Sequence, residues 1–217
     1  MQKIKLTPRL QMCADFVRQN TAVADIGTDH CFLPAWLVLQ KHITRAIAAD
    51  INPQPLKSAA QTVAQFGLQT QIELRQSNGL ESIAPTEVDD IVIAGMGGEL
   101  IFEILNACPW AKDDRYNFIL QPMSKSEVLV RGLYREGYEI TAQKTCIDRK
   151  KPYTAFLVKY SGNVQEPSPE FCYKTLLNPK ANPTDKAFFE QMLRYVANKA
   201  KGSKEYVGIL GKLRKDF

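Results

Sequence analysis

Carboxylates stand where apolar runs of this chain end. Residues 23–30 read Val-Ala-Asp-Ile-Gly-Thr-Asp-His: an apolar run closes on Asp25, turns at Gly27, and presents Asp29 and His30. A second run closes on Asp50, with Ile51 beside it. A dinucleotide loop would carry GxGxxG, so that a pyrophosphate could approach a helix N-terminus. Here one glycine is flanked by acids, which would repel a pyrophosphate and suit a cationic ligand. S-adenosylmethionine fits, since it carries a sulfonium and an ammonium but no phosphate. Asp25 and Gly27 are read as its loop, and Asp50 as the acid that accepts its ribose hydroxyls. Asn78-Gly79 follows the third run, where an amide can meet an adenine edge. Ala94-Gly95-Met96-Gly97-Gly98 follows the fourth, where Gly95 leaves room for a ligand and Met96 supplies an apolar wall.

Those positions require strands that end side by side. Apolar runs at Ala22–Ile26, Arg45–Asp50, Gln71–Gln76, Asp90–Ala94 and Phe118–Gln121 alternate with helical patterns. Leu56, Ala59, Ala60, Val63 and Phe66 recur at helical spacing between Pro53 and Gly67. Ser124–Glu136 fits another helix. Tyr138–Cys146 and Tyr153–Tyr160 fit a strand pair joined by the charged turn Ile147–Pro152. The pattern predicts a doubly wound α/β sheet whose last strand is antiparallel. Ser161–Pro169 reads as a linker. Beyond it, two apolar stripes, Phe188 to Ala197 and Tyr206 to Leu213, are separated by Gly202-Ser203 and predict a small helical hairpin. The expected division is therefore 1–162 and 163–217.

Composition narrows the classes. The chain has 217 residues, and no apolar run approaches the ~20 residues that span a bilayer. Residues 1–10 show no secretory pattern. Five cysteines are scattered without a CxxC pair, which points to reduced thiols in the cytoplasm and no structural metal. Residues 163–217 carry ten Lys or Arg against six Asp or Glu, and the remainder is close to neutral. A basic tail suggests a polyanionic partner, although a solvated helix face would look the same.

Four segments resemble one family. Ala24–Pro34, Ser77–Leu80, Ile93–Gly98 and Leu120–Pro122 are similar to the bacterial tRNA (adenine-N1)-methyltransferases called TrmK, which modify adenine 22 of tRNA. The resemblance runs from Leu6 to about Lys159 and loosely into the tail. Cys31 stands where the family often has Ala, and Met123 where it usually has Asn. The resemblance implies a class I methyltransferase fold with a helical C-terminal domain, S-adenosylmethionine as cofactor and tRNA as substrate. It also places Gln121 and Pro122 on the substrate side, and Arg9 near the cofactor or RNA unless it is a surface residue.

The residues test the chemistry independently. No Asn/Asp-Pro-Pro-Tyr/Phe segment follows the fourth run, which disfavours amine methylation. No Pro-Cys dipeptide supplies a nucleophile for carbon methylation. Attack by a ring nitrogen or by a small molecule remains. Adenine N1 has an in-plane lone pair, and its methylation creates a cation that a carboxylate would stabilise. Asp29 is the candidate catalytic residue, as stabiliser or general base; capping the next helix or binding the cofactor ammonium are the plainer alternatives. His30 is read as a cofactor contact or as packing on that helix. N1 lies on the pairing edge, so adenine 22 must be exposed first. Lys199, Lys201, Lys204, Lys212, Arg214 and Lys215 would hold the RNA, with the protein acting as a monomer. Competing readings are a class I methyltransferase for a small molecule or protein, with the tail as a lid, and an RNA-binding module with a degenerate cofactor site.

Overall fold

The computed structural model describes residues 3–215. Seven strands form one sheet: β1 (Ala22–Ile26), β2 (Arg45–Asp50), β3 (Ile72–Gln76), β4 (Asp90–Gly97), β5 (Asn117–Ser124), β6 (Tyr138–Asp148) and β7 (Lys151–Tyr160). Their order is β3-β2-β1-β4-β5-β7-β6. Strands β1 to β5 are parallel, and β7 runs antiparallel to both β5 and β6. The sequence reversal between β1 and β4 makes the switch point at which ligands bind in open α/β sheets.

Burial explains the strand sequences. All five residues of β1, the first half of β4 and all but the last two residues of β5 are buried, as expected of parallel strands covered on both faces. Edge strand β3 instead carries Glu73 and Arg75, which form an ion pair that discourages edge pairing. Helices α1 (Pro8–Ala14), α2 (Phe32–Leu39), α3 (Pro53–Phe66), α4 (Gly98–Asn106) and α5 (Ser126–Arg135) cover the sheet. Pro53 starts α3, and Gly67, at φ +67°, ends it.

Several boundaries differ from the sequence expectation: β5 runs on to Ser124, and a short helix at Pro169–Lys174 precedes the expected hairpin. The β6–β7 turn uses only Arg149 and Lys150, both at positive φ, so Ile147 and Asp148 pair with Pro152 and Lys151 instead of forming a loop. Strand β4 continues through Met96 to Gly97, so Ala94–Gly97 is strand, not loop. Its register with β5 shifts at Gly95, whose φ of +85° accommodates the irregularity. The helix expected from Ser124 begins at Ser126.

Beyond Tyr160, helices α6 (Pro169–Lys174), α7 (Pro183–Ala200) and α8 (Lys204–Lys215) gather Tyr173, Phe188, Phe189, Val196, Ile209 and Leu213 in an apolar cluster of their own. They also dock on the sheet. Thr145 Oγ1 on β6 donates to Asp185 Oδ1 at 2.5 Å, and the Leu176 N–H donates to Gln143 Oε1 at 2.8 Å.

Candidate functional site

The acids of the first turn face different environments. Asp25 is 8% exposed, whereas the Asp29 side chain is 77% exposed. Burial pushes the Asp25 carboxyl up to about 6, and the nearby Asp50 charge adds to the rise. The Thr28 hydroxyl is itself buried without a hydrogen-bond partner. The Gly27 and Thr28 N–H groups both donate to the Ala49 carbonyl, which fixes the turn beside the end of β2. Asp29 does not cap α2: that position belongs to Cys31, at φ +57° and without a side-chain cap. His30 stacks on Phe32 with ring centroids 5.2 Å apart, and its Nε2 lies 3.4 Å from Asp29 Oδ2.

The neighbouring strand ends complete an edge. Asp50 Oδ1 accepts the Asn52 N–H at 2.7 Å, and Ile51 is exposed. Asn78 is exposed and donates to Glu81 Oε1. Gly79, at φ +57°, is tightly packed: an added Cβ would lie 2.9 Å from Ile104 on α4. Its small size therefore serves helix packing. A Cβ on Gly27 would overlap Met96 Cε, so the apolar wall expected of Met96 lies directly over the turn. Met96 pairs with Pro122 on β5.

Arg9 joins the other end of this edge. Its Nε donates to Asp148 Oδ2 at 3.1 Å, and its Nη1 donates to Gln121 Oε1 at 3.4 Å and to the Met123 sulfur at 3.0 Å. Its guanidinium also lies over the Tyr153 ring. Gln121 is buried and donates to its neighbour's carbonyl at Pro122.

Relatives share this architecture. The profile described as a methyltransferase domain matches residues 6–156. The Bacillus subtilis tRNA (adenine(22)-N(1))-methyltransferase is 40% identical over 140 residues, covering 64% of this chain and 59% of that relative's length. The crystal structure of the B. subtilis tRNA methyltransferase TrmK aligns at TM-score 0.78 with 30% identity, over 98% of this chain and 96% of the other. The chain belongs to the TrmK family of methyltransferases. M. capricolum TrmK, solved with S-adenosyl-homocysteine, aligns at TM-score 0.78 with 26% identity over 97% and 96% of the two chains.

For a TrmK-family protein, the chemistry of the edge suits S-adenosylmethionine. Asp25 is buried with no basic group offsetting its desolvation, Thr28 has an orphaned hydroxyl, Asp50 offers a carboxylate at the end of β2, and Ile51 exposes an apolar side chain. A ligand with a cation, hydroxyls and a flat ring would satisfy all four. Among the described residues no cluster of His, Cys, Asp and Glu could hold a metal, and no helix is long and apolar enough to cross a membrane.

The tail cations divide. Lys199 lies against the rings of Tyr195 and Tyr206 and donates to the Tyr206 hydroxyl at 3.2 Å; contacts with both tyrosines hold its pKa above the usual lysine value. Lys212 pairs with Glu170 at 2.8 Å. Lys201, Lys204, Arg214 and Lys215 are exposed, and their side chains make no hydrogen bond or ion pair among the described residues. Sequence reasoning missed Thr28, Asp148 and Tyr153. Asp148 lay inside the segment read as a turn, and only the two-residue hairpin brings it to Arg9.

Proposed function

We propose that this protein is a cytoplasmic, monomeric enzyme that methylates N1 of adenine 22 in tRNA, using S-adenosylmethionine. Residues 163–217 form its RNA-binding appendage. The observation that carries the reading is the split of the Gly27 turn, with Asp25 buried behind it and Asp29 open to solvent in front. When bound, S-adenosylmethionine supplies an electrophilic methyl group on a sulfonium.

The chain's own residues do the rest. Asp25 supplies negative charge behind the turn, and Gly27, lacking a side chain, lets Met96 close over the turn beside the ligand. Asp50, Ile51, Asn78 and Gly79 hold the adenosine part, and Gly95 and His30 flank the ligand. Asp29 faces the acceptor and stabilises the positive charge that grows on the adenine ring, or accepts a proton from its amino group. Arg9, Gln121 and Pro122 border the acceptor. The exposed cations Lys201, Lys204, Arg214 and Lys215 contact phosphates. The relatives named for adenine 22 support the choice of base.

The test is incubation with labelled S-adenosylmethionine and total bacterial tRNA, followed by digestion to nucleosides. N1-methyladenosine from position 22 is the expected product. The N6 isomer, or no product with a protein that binds cofactor, would overturn the reading.

A further inference from the structure

A cleft of about 210 Å³ opens where β5 ends, between the sheet and the helical tail. Met123 and Tyr153 line the sheet side; Phe188, Gln191, Met192 and Tyr195 on α7 line the other. Its position follows from register. Met96 packs over Gly27 and pairs with Pro122, which borders the cleft. Two strand steps, roughly 10 Å in all, therefore separate the β1 turn from the cleft. Asp29 and the acceptor base belong to the β1–β4 side, so the cleft lies next to the acceptor position and not on it.

Its walls are fixed. The Tyr195 hydroxyl donates to Glu127 Oε1 at 3.0 Å, Arg9 donates to the Met123 sulfur, and Thr145 anchors Asp185 in the first turn of α7. Gln191 differs: it is half-buried in the lining, and its amide makes no hydrogen bond among the described residues. Aromatic rings and thioethers provide faces on which a flat ring can stack, and an unpartnered amide can read the donor and acceptor pattern of its edge. The net positive charge of residues 163–217 favours a polyanion that carries such rings.

Resting on the tRNA reading above, we infer that this cleft receives an unpaired base flanking the acceptor adenosine, and that Gln191 on α7 sets its specificity. The helical tail then helps to recognise the RNA and does not act by charge alone. Holding a flanking base out of its stack also helps to expose the Watson–Crick edge of the acceptor.

The experiment uses the full chain and tRNA carrying 2-aminopurine on one side or the other of the acceptor adenosine. Binding changes the fluorescence at one flanking position, and Gln191→Phe, which fills the cleft, abolishes that change. The same variant raises KM for tRNA about tenfold while leaving S-adenosylmethionine binding, measured by calorimetry, unchanged. Gln191→Ala, which adds no bulk, alters the preference among bases at that position. A wild-type protein that methylates adenine 22 but gives no fluorescence change at either flanking position overturns this inference and leaves the proposed function standing. So does unchanged KM in both variants. Absence of N1-methyladenosine from the wild type overturns the proposed function itself, and flanking-base fluorescence then decides the cleft separately.

Discussion

Met96 Cε occupies the space that a side chain on Gly27 would need, so the first turn of the sheet and the bulged end of β4 are fitted to one another. Gly27 also sits at φ +78°. Gly27→Ala therefore combines overlap with Met96 and left-handed strain, together about 2–4 kcal/mol. The expected outcome is a lower melting temperature and loss of cofactor binding by calorimetry. Met96→Ala in the same chain relieves the overlap but not the strain, so the double variant recovers part of the stability. Equal destabilisation in the single and double variants would refute the steric account.

Asp25 connects stability and binding with opposite signs. Its folded pKa, about 6, lies above the ordinary 3.8, so the folded state holds the extra proton between those values. Stability from this group is present at low pH and is lost as pH rises through 6, by up to about 3 kcal/mol. Asp25→Asn imitates the protonated form. It raises the melting temperature of the ligand-free protein at pH 8, and the gain vanishes at pH 4. A cationic cofactor needs the ionised form, so wild-type affinity falls as pH drops below 6, whereas the Asn variant binds weakly at every pH. Calorimetric titrations at pH 5.5 and 7.5 check this; equal affinities in the wild type would contradict it.

Arg9 links α1 to residues far along the chain. Asp148 is 6% exposed and depends on Arg9 for its ion pair. Arg9→Ala strands a buried carboxylate and is expected to cost about 1–3 kcal/mol. Adding Asp148→Asn to that variant restores most of the loss. Chemical denaturation of the four proteins in the cycle measures the coupling. A coupling near zero would make the pair incidental.

The positions of the first strands were legible because they follow from local pattern, whereas the order of strands in the sheet was not read from the sequence. Ala22–Ile26 and Arg45–Asp50 coincide with β1 and β2, since buried parallel strands are apolar throughout and stop at polar residues. The end of β4 was not legible. Gly95-Met96-Gly97 has the composition of a loop, and only pairing with β5 keeps it in the sheet. The hairpin tip misled in the same way: Asp148 and Lys151 look like loop residues because the turn uses non-glycine residues at positive φ. Lys199 and Lys201 look alike in sequence, but the hairpin turns Lys199 toward tyrosines, a tertiary contact without local signature.

Asp29 should report on chemistry without disturbing the fold. Its side chain is largely exposed and it does not cap α2, so Asp29→Asn leaves melting within about 0.5 kcal/mol of wild type. Cofactor affinity is also expected to stay within a few fold. Turnover falls by about 10²-fold or more, the scale typical of a lost general base or charge stabiliser. Single-turnover methylation of tRNA reads the step directly. Wild-type rates in this variant would remove Asp29 from the mechanism.

The tail offers a comparison within one surface. Lys199 and Lys212 already have partners, whereas Lys201, Lys204 and Arg214 are exposed and have none among the described residues. Neutralising a cation that contacts a phosphate removes one released counterion and lowers the salt dependence of binding by nearly one unit of slope. Lys201→Gln, Lys204→Gln and Arg214→Gln together are therefore expected to weaken tRNA binding at least tenfold at low salt and to flatten log Kd against log salt. Lys212→Gln has a smaller effect on binding, because its charge is shared with Glu170. Lys199→Gln acts mainly on stability, since it removes a cation packed against two rings. Binding titrations across a salt series separate these cases. A triple variant with an unchanged slope would place the RNA on another face, and a strong binding defect from Lys199→Gln without destabilisation would show that the tyrosine contacts open when RNA binds.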